Sequence, residues 1–259
     1  MTAAPLPGPG PSPDAAAPPR RAPAPVAPVP LPGEPSRAPA VRAMFDRIAP
    51  TYDLLNRVMT LRVDQRWRRR AVATLRLAAG EALLDVCAGT MDVAAEARRR
   101  WPGARVVGSD FSIPMLARGA AKSGLPAAAA DALRLPFRDG SFDAATVAFG
   151  ARNLDSYEAG LAELARLLRP GGRLAILEFF RSTSAGSRAF HRAYNRLALP
   201  VLGRLLAADA AAYTYLVESM ERFATMPEFE EAARRAGFRD VRGEALFPGV
   251  CGLVTGVRA

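Results

Sequence analysis

Two aspartates at the ends of predicted strands are the residues of this sequence best placed to bind a ligand. The apolar run 82–86 contains Asp85 and is followed by a turn of small residues around Gly89. A second run, 105–110, ends in Asp110. Small residues let a ligand approach the backbone N–H groups at the start of the next helix, and a carboxylate after the second strand can accept hydrogen bonds from a ribose. The spacing therefore predicts a site for a nucleotide-like cofactor.

The turn also indicates which cofactor the site takes. A dinucleotide needs a G-x-G-x-x-G turn for its pyrophosphate, and the sequence contains no such run. S-adenosylmethionine has no phosphate and needs an acid for its ribose and room for its methionyl group, so Asp85, Gly89 and Asp110 fit it better. Because many α/β proteins have a strand, a small-residue turn and an acidic strand end, this segment alone leaves a purely structural role open.

Strands and helices alternate around this site. Residues 142–150 and 172–179 are apolar runs typical of buried strands, and the second follows a Pro-Gly-Gly turn. Between them, residues 157–169 carry leucines at helical spacing. The alternation over residues 82–179 predicts an α/β fold with a doubly wound, mostly parallel sheet and helices on both faces. Its ligand should lie at the carboxyl ends of the strands.

The composition divides the chain in two. Residues 1–40 hold 14 of the 23 prolines and too few apolar side chains to bury a core. We therefore expect a disordered Pro/Ala-rich tail over residues 1–40 and one domain over residues 41–259. The tail lacks the apolar segment of a secretory signal, and no apolar run is long enough to span a membrane.

Charge and cysteine content exclude several kinds of site. Cys87 and Cys251 are too few for a disulfide framework and lack the spacing of metal ligands, so we expect a reduced, metal-free, cytoplasmic protein. The net charge is +10, but 34 of the 35 basic residues are arginine and no nucleic-acid-binding motif accompanies them. We therefore expect no nucleic-acid partner.

Several blocks of the sequence match the motifs of one family in order. They are 44–56 with Trp67, 131–137, 149–153, 168–173 with Glu178, and 208–216. On these blocks the chain resembles the ubiquinone/menaquinone biosynthesis C-methyltransferase family, including its demethylmenaquinone methyltransferases, over residues 43–258. The Tyr-Asp-x-x-Asn block, the Phe-Gly-x-Arg-Asn loop and the Asp-x-x-x-Tyr-x-Tyr-Leu segment are specific to it, whereas the other blocks occur in many class I methyltransferases.

The resemblance implies the Rossmann-like fold of a class I methyltransferase and S-adenosylmethionine as cofactor. It also implies which residues bind that cofactor, because each occupies a position of the family's motifs. Asp131 and Ala132 match a pair beside the adenine, and Asp85 and Gly89 line the turn. The implied cofactor-binding residues are Asp85, Gly89, Thr90, Asp110, Asp131 and Ala132.

The reaction implied by the resemblance is C-methylation of a demethylated prenyl quinol, giving menaquinol or the equivalent benzoquinol of ubiquinone biosynthesis. A ring carbon is a weak nucleophile until a neighbouring hydroxyl loses its proton, so the site must stabilise a phenolate-like charge and align the reacting atoms. Arg152 is the candidate that holds the oxyanion or a water acting as base. Without the resemblance, a solvated charge would be the simpler interpretation. Asn153 would fix the same oxygen, and Tyr52 would close over the substrate.

Four positions depart from the family pattern. Met91 stands where glycine is usual, which removes conformational freedom at positive φ and adds bulk beside the expected methionyl pocket. From this we expect either a turn with a different path or an impaired site. Ala148 replaces a serine that contacts the cofactor in some members, Asp64 replaces a histidine, and Phe180 replaces a serine.

The prenyl tail of such a substrate needs an apolar entrance. The small-apolar stretch 197–208 follows an arginine-rich one, which predicts a helical cover that contacts the membrane surface. A lid packed on the core is the equal alternative. A peripheral position at the inner face of the membrane and a homodimer are both left open. His191 lies among arginines and matches no functional position of the family, so we expect it at the surface.

Two other functions stay open on sequence alone. One is a class I methyltransferase for another lipid or small molecule, because Met91, Ala148 and Asp64 could reflect a changed pocket. The other is a non-catalytic relative that binds the cofactor or a quinone. The sequence does not distinguish a naphthoquinone from a benzoquinone substrate, nor does it give the length of the prenyl tail.

Overall fold

Three helices precede the sheet in the computed structural model, which describes residues 37–181, 210–246 and 251–259. They are α1 (Arg37–Ile48), α2 (Tyr52–Met59) and α3 (Val63–Leu75). Strands and helices then alternate. Their bounds are β1 (Ala82–Val86), α4 (Asp92–Arg100), β2 (Arg105–Asp110), α5 (Ile113–Ser123), β3 (Ala127–Ala129), β4 (Phe142–Ala148), α6 (Tyr157–Leu167), β5 (Leu168–Glu178), α7 (Ala210–Arg222), α8 (Met226–Arg235), β6 (Phe238–Leu246) and β7 (Cys251–Arg258).

The strands form one seven-stranded sheet in the order β3-β2-β1-β4-β5-β7-β6. The strands from β3 to β5 run parallel, and β7 is antiparallel to both of its neighbours. The predicted doubly wound, mostly parallel sheet is therefore confirmed. The chain order reverses between β1 and β4, and such a reversal opens a crevice at the carboxyl ends of the strands.

The core lies on both faces of the sheet. All five residues of β1 are buried, as expected for a central parallel strand. Because side chains alternate along a strand, Leu84 and Val86 pack into one apolar cluster and Leu83 into the other. The first cluster lies against α6 and α8, and the second lies against α3 and α4.

A short 3₁₀ turn over Ala151–Asn153 links β4 to α6. The helices nearby begin at side-chain caps, with Ser112 accepting a hydrogen bond from Met115 N before α5 and Ser156 accepting one from Ala159 N before α6. These caps fix where the chain leaves β2 and β4, at the edge of the sheet where the crevice opens.

Helix α1 begins before the predicted domain boundary. Arg37, its first residue, is 1% exposed. Its Nη2 donates hydrogen bonds of 2.7 Å to the carbonyls of Arg152 and Leu154. The boundary at residue 41 was predicted from composition alone, and it falls inside α1. Composition could not show that the long-range hydrogen bonds of Arg37 fix the start of the helix. Residues 1–36, the predicted cover 197–208 and His191 lie outside the described residues.

We predict that a chain beginning at Val41 is less stable than one beginning at Glu34, because only the longer chain retains Arg37. Hydrogen bonds from a charged group contribute about 1.5–3 kcal/mol each, so we expect a loss of about 3 kcal/mol in the free energy of unfolding. For a domain of this size that lowers the melting temperature by roughly 5–10 °C. The full-length variant Arg37→Met is the matched control and should show the same loss. Equal melting temperatures for the two truncations would contradict the assignment.

Candidate active site

A cleft lies at the carboxyl ends of β1, β2 and β4, with α1 and α2 over it. The empty space in it is about 710 Å³ when the open solvent at its mouth is included. Its lining combines the turns after the strands with three residues of the covering helices. The lining residues that concern the chemistry are Ala38, Phe45, Tyr52, Cys87, Gly89, Ser109, Asp110, Phe111, Met115, Asp131, Ala132, Leu133, Ala148, Phe149 and Asn153.

Asp110 and Gly89 meet at one end of the cleft. The Gly89 N–H donates to Asp110 Oδ2 at 2.8 Å, and the Ser112 N–H donates to Asp110 Oδ1 at 2.8 Å. Burial raises the pKa of the Asp110 carboxyl, and these backbone donors oppose that shift. A carboxylate offers about four lone-pair positions, so Asp110 can still accept a hydrogen bond from a ligand hydroxyl.

The backbone of the β1 turn is strained. Cys87, Gly89 and Met91 have φ of 54°, 52° and 60°, and Phe149 across the cleft has 59°. This left-handed region is unfavourable for residues other than glycine, and it recurs where a binding site fixes the backbone. The turn therefore keeps its left-handed conformation at Met91 without the usual glycine.

Met91 points away from the cleft. Its side chain is fully buried and packs with Leu83, Val93 and Leu116 in the core. The space comes from two glycines: a Cβ on Gly108 would lie 2.8 Å from Met91 Cε, and one on Gly119 would lie 2.5 Å from Met91 Cγ. The expectation that Met91 crowds the methionyl pocket is therefore wrong, because β2 and α5 receive the side chain beneath the turn.

Asp85 lies below the turn and does not reach the cleft wall. It is 1% exposed. Its Oδ2 accepts from Ala94 N at 3.0 Å, and its Oδ1 accepts from Thr146 Oγ at 2.8 Å. Burial raises the pKa of this carboxyl to about 7. Asp85, which was predicted to contact the cofactor, thus joins the start of α4 to β4. It supports the loop after β1 from beneath.

Thr90 is also turned away from the cleft lining. Its hydroxyl donates to Asp53 Oδ1 at 2.5 Å, and Asp53 Oδ2 accepts from Lys122 Nζ at 3.1 Å. Lys122 also bonds Asp92 Oδ1 at 2.5 Å. These contacts join α2 to the loop after β1, to α4 and to α5. Thr90 therefore helps to hold α2 over the cleft.

Asp131 and Ala132 lie in the cleft lining beyond β3. Asp131 is exposed, and its Oδ1 accepts from the Leu133 N–H at 2.9 Å. Phe111 and Met115 add apolar side chains to the same lining.

The Arg152 guanidinium is buried behind the cleft rather than on its wall. Its Nη1 forms an ion pair of 2.6 Å with Glu178 Oε1 and donates to the Phe149 carbonyl at 2.8 Å. Glu178, which is fully buried, also accepts from the Arg152 N–H at 3.1 Å. The predicted picture of an unpaired cation facing the substrate therefore needs correction, since Glu178 compensates the charge.

Asn153 and Tyr52 do line the cleft. Asn153 Oδ1 accepts from the Tyr215 hydroxyl at 3.0 Å, and its Nδ2 donates to the Phe149 carbonyl at 3.3 Å. Burial raises the pKa of the Tyr52 hydroxyl, with the Arg68 guanidinium opposing the shift. Tyr52 therefore remains a neutral phenol at neutral pH and can donate a hydrogen bond.

Several residues of the site were not predicted as such. Tyr215 and Glu178 belong to blocks that carried the family resemblance, but their partners lie far away in the sequence. Phe45 packs 6.2 Å from Tyr52 and 6.4 Å from Phe111 between ring centroids, closing the cover with aromatic side chains. Asp46 accepts from the Ser112 hydroxyl at 2.5 Å and so ties α1 to the start of α5.

The remaining departures from the family pattern have different outcomes. Ala148 lines the cleft and offers no side-chain donor. Asp64 is buried, accepts from the Thr60 hydroxyl at 2.7 Å and pairs with Arg68 at 3.4 Å. Phe180 stacks on Phe223 with ring centroids 5.8 Å apart and belongs to the core.

Two other features are absent from the described residues. No cluster of three or more His, Cys, Asp or Glu side chains there could hold a metal ion. Among the described helices, none combines the length and apolar character needed to cross a bilayer.

Sequence comparison identifies a family. The profile of the ubiE/COQ5 methyltransferase family matches residues 34–258. The chain is 46% identical to a demethylmenaquinone methyltransferase of Thermus thermophilus over 220 residues, which cover 83% of this chain and 100% of the relative. It is 42% identical to a ubiquinone/menaquinone biosynthesis C-methyltransferase UbiE of Syntrophotalea carbinolica over 224 residues, covering 84% and 94% of the two chains.

Solved structures show the same fold at low sequence identity. A SAM-dependent methyltransferase of Thermotoga maritima superposes with a TM-score of 0.61 at 21% identity, covering 84% of this chain and 99% of that one. A phosphoethanolamine N-methyltransferase of Haemonchus contortus, solved with S-adenosyl-L-methionine, gives a TM-score of 0.55 at 15% identity over 74% and 52% of the two chains. The sheet described above is therefore that of class I methyltransferases.

We predict that Met91 and Gly108 are energetically coupled. Gly108→Ala should cost about 1–3 kcal/mol of stability by overpacking, and Met91→Ala about 2–5 kcal/mol by leaving a cavity. In the Met91→Ala background, Gly108→Ala should cost less, because the two Met91 atoms it would meet are gone and only the contact with Ala88 Cβ at 3.3 Å remains. Denaturant unfolding of the four proteins measures the coupling.

The control for this cycle is Gly256→Ala in β7, whose added Cβ would meet Phe238, Val241 and a backbone carbonyl rather than Met91. Its cost should be equal in both backgrounds. If Gly108→Ala lowered the free energy of unfolding as much in the Met91→Ala background as in the parent, the two residues would be independent.

Proposed function

This chain belongs to the ubiE/COQ5 methyltransferase family, and from that premise we propose that it methylates a ring carbon of a demethylated prenyl quinol, with S-adenosylmethionine as methyl donor. The observation that carries the proposal is one cleft lined by two kinds of group. Asp110 and Gly89 offer a carboxylate and a backbone turn, and Asn153 and Tyr52 offer a neutral amide and a phenol suited to a ring oxygen.

The lining fits the cofactor. Asp110 would hold the ribose hydroxyls, and Asp131 and Ala132 would lie beside the adenine. The Ser109 hydroxyl is buried without a hydrogen-bond partner among the described residues, and it lies in the same lining. A buried polar group without a partner is costly and indicates a missing ligand or water. S-adenosylmethionine supplies a methyl group on a positively charged sulfur, which the ring carbon can attack.

Asn153 and Tyr52 are the candidates for direct contact with the ring oxygen. An asparagine amide carries two N–H donors, and the structure engages Nδ2 with the Phe149 carbonyl, leaving the second N–H for a ligand. Tyr52 keeps its proton because burial raises the pKa of its hydroxyl. Neutral donors of this kind would stabilise a ring oxygen as it becomes anionic.

Arg152 would act from behind these donors as a positioning residue. Its backbone carbonyl accepts from Arg37, and its guanidinium is held by Glu178 and by the Phe149 carbonyl, which also accepts from Asn153. The guanidinium therefore orders the 151–153 turn. Its positive charge also opposes the rise in the pKa of Tyr52 and so favours negative charge in that part of the cleft.

The covering helices would exclude water from the reacting atoms. Phe45 and Tyr52 close the cleft from α1 and α2, and both side chains belong to its lining. Water exclusion strengthens hydrogen bonds to a developing charge. We propose that the prenyl tail leaves through the open mouth and that the enzyme works at a membrane surface, where such a substrate resides.

We predict that Asp110→Ala weakens S-adenosylmethionine binding about 30- to 150-fold, because removing a partner from buried polar groups costs about 2–3 kcal/mol. Isothermal titration calorimetry measures the change. Asp139→Ala is the matched control, since the Asp139 side chain is 80% exposed and pairs only with Arg166 outside the cleft. Unchanged affinity in Asp110→Ala would remove this residue from the cofactor site.

We further predict that the charge of Arg152 acts on turnover and only weakly on cofactor binding. Removing Arg152 alone would leave Glu178 buried and unpaired, so the informative variant is Arg152→Gln with Glu178→Gln, which removes both charges. Turnover of a reduced, short-tailed demethylated naphthoquinol should fall about 10²–10³-fold, as on loss of one electrostatic stabiliser. Arg152→Lys with Glu178 unchanged should retain only part of the parent turnover, because an ammonium cannot reproduce the planar arrangement of N–H donors in a guanidinium.

The single variant Glu178→Gln retains the cation and an acceptor oxygen but leaves the Arg152 charge uncompensated, so it should lower the melting temperature. Its folded fraction should keep turnover within about tenfold of the parent. Melting temperatures separate loss of fold from loss of chemistry. Near-normal turnover of the doubly substituted protein would refute the role of Arg152. A parent protein that binds the cofactor but methylates no quinol would refute the proposed substrate.

A further inference from the structure

The hairpin of α2 and α3 exposes large apolar side chains. Within the described residues, three large apolar side chains are exposed: Leu61 at 80%, and Leu54 and Ile113 at 56% each. Two of the three belong to this hairpin. Single exposed leucines are common on protein surfaces, so the inference depends on what surrounds them.

The backbone at the tip of the hairpin holds Leu61 outward. Leu61 and Arg62 have φ of 49° and 64°, two successive left-handed residues without a glycine. This conformation is unfavourable for each of them. The turn is fixed by hydrogen bonds of 3.0 Å from Arg62 N to Arg57 O and 2.9 Å from Val63 N to Thr60 O. The most exposed leucine of the described chain is thus presented by a strained turn that backbone hydrogen bonds hold in place.

The charges around these leucines are positive. Arg62, Arg66 and Arg69 are exposed, and none of the three side chains forms an ion pair or hydrogen bond within the described part of the chain. The acids of the hairpin are used elsewhere: Asp53 binds Thr90 and Lys122, and Asp64 is buried against Thr60 and Arg68. The surface therefore combines protruding leucines with uncompensated cations.

We propose that this surface, the hairpin patch of Leu54, Leu61, Arg62, Arg66 and Arg69, binds an anionic lipid bilayer. The leucines would enter the boundary between headgroups and acyl chains, and the arginines would contact lipid phosphates. The inference deepens the proposed function and rests on it for its purpose. Because α2 begins with Tyr52, which lines the cleft, docking the patch brings the cover of the cleft to the membrane that holds a prenyl quinol.

Two other occupants fit the patch less well. A symmetric dimer places the same patch on both subunits, so it would bring the arginines of one copy against those of the other. A stable protein partner typically buries about 800 Å² on each side, more than two separated leucines offer. Charge complementarity therefore favours an anionic lipid surface.

Sedimentation with vesicles tests the patch independently of activity. The full-length protein should bind vesicles of phosphatidylcholine with about 30% phosphatidylglycerol, bind phosphatidylcholine alone much less, and dissociate in high salt because screening weakens surface charges. Leu54→Ser with Leu61→Ser should weaken binding at least tenfold. Arg62→Ser with Arg66→Ser should weaken it about 25-fold, since each arginine near the surface contributes about fivefold.

Matched controls lie elsewhere on the surface. Ile113→Ser changes an apolar side chain with the same exposure as Leu54. Arg138→Ser removes an exposed arginine from the loop before β4, at the opposite end of the sheet from the cleft. Both should bind vesicles like the parent. Parent-like binding by the hairpin variants, or equal losses in the controls, would overturn the proposal. Binding of the parent that is independent of salt and of lipid charge would overturn it too.

Two substrate formats separate this inference from the proposed function. The variant with serine at positions 54 and 61 should methylate a soluble, short-tailed quinol at the parent rate and lose turnover on a long-tailed quinol held in vesicles. Equal loss in both formats would show that the patch acts on the cleft itself and would overturn the lipid role. If the parent methylates neither substrate, the proposed function fails, and the sedimentation result still decides whether the patch binds lipid.

Discussion

The buried ion pair between Arg152 and Glu178 is the interaction on which the site depends. Glu178 ends β5, and Arg152 lies in the turn after β4, so the pair joins the carboxyl ends of two central strands. Burying two charges is costly, and removing either partner costs more because the other charge stays behind. The protein uses the pair to organise everything around it: the Phe149 carbonyl, the amide of Asn153 and the first residue of α1 all bond to this turn.

The sheet and one end of the site could be predicted from the sequence because their signals are local. Apolar runs and helical leucine spacing give the alternation of elements, and the ends of adjacent parallel strands necessarily bring Gly89 near Asp110. The direction of Met91 could not be predicted, since it depends on space left by Gly108 and Gly119. The ion pair of Arg152 and the start of α1 were missed for the same reason, because each depends on a partner distant in sequence.

The cleft is built from a rigid floor and an attached cover. Below it, Asp85 and Met91 lie in the core and hold the strained turn from beneath. Above it, α1 and α2 are fastened by side chains, through Arg37, Asp46 and Asp53, rather than by strand pairing. Such contacts can break without unfolding the sheet, which suits a cover that, in the proposed function, would admit both a cofactor and a large amphipathic substrate.

The contact of Arg37 with the 151–153 turn has a consequence for synthesis on the ribosome. The two partners are 115 residues apart, and at about 5–20 residues per second the chain needs roughly 6–23 s to translate that interval. Helix α1 therefore leaves the exit tunnel long before Arg152 and Leu154, whose carbonyls accept the Arg37 hydrogen bonds, have been synthesised. During that time α1 has no place to dock, and it exposes Val41 and Met44, which are buried in the finished protein. Helix α1 is thus made early and packs late, and a nascent chain stalled before Glu178 would present those side chains to chaperones.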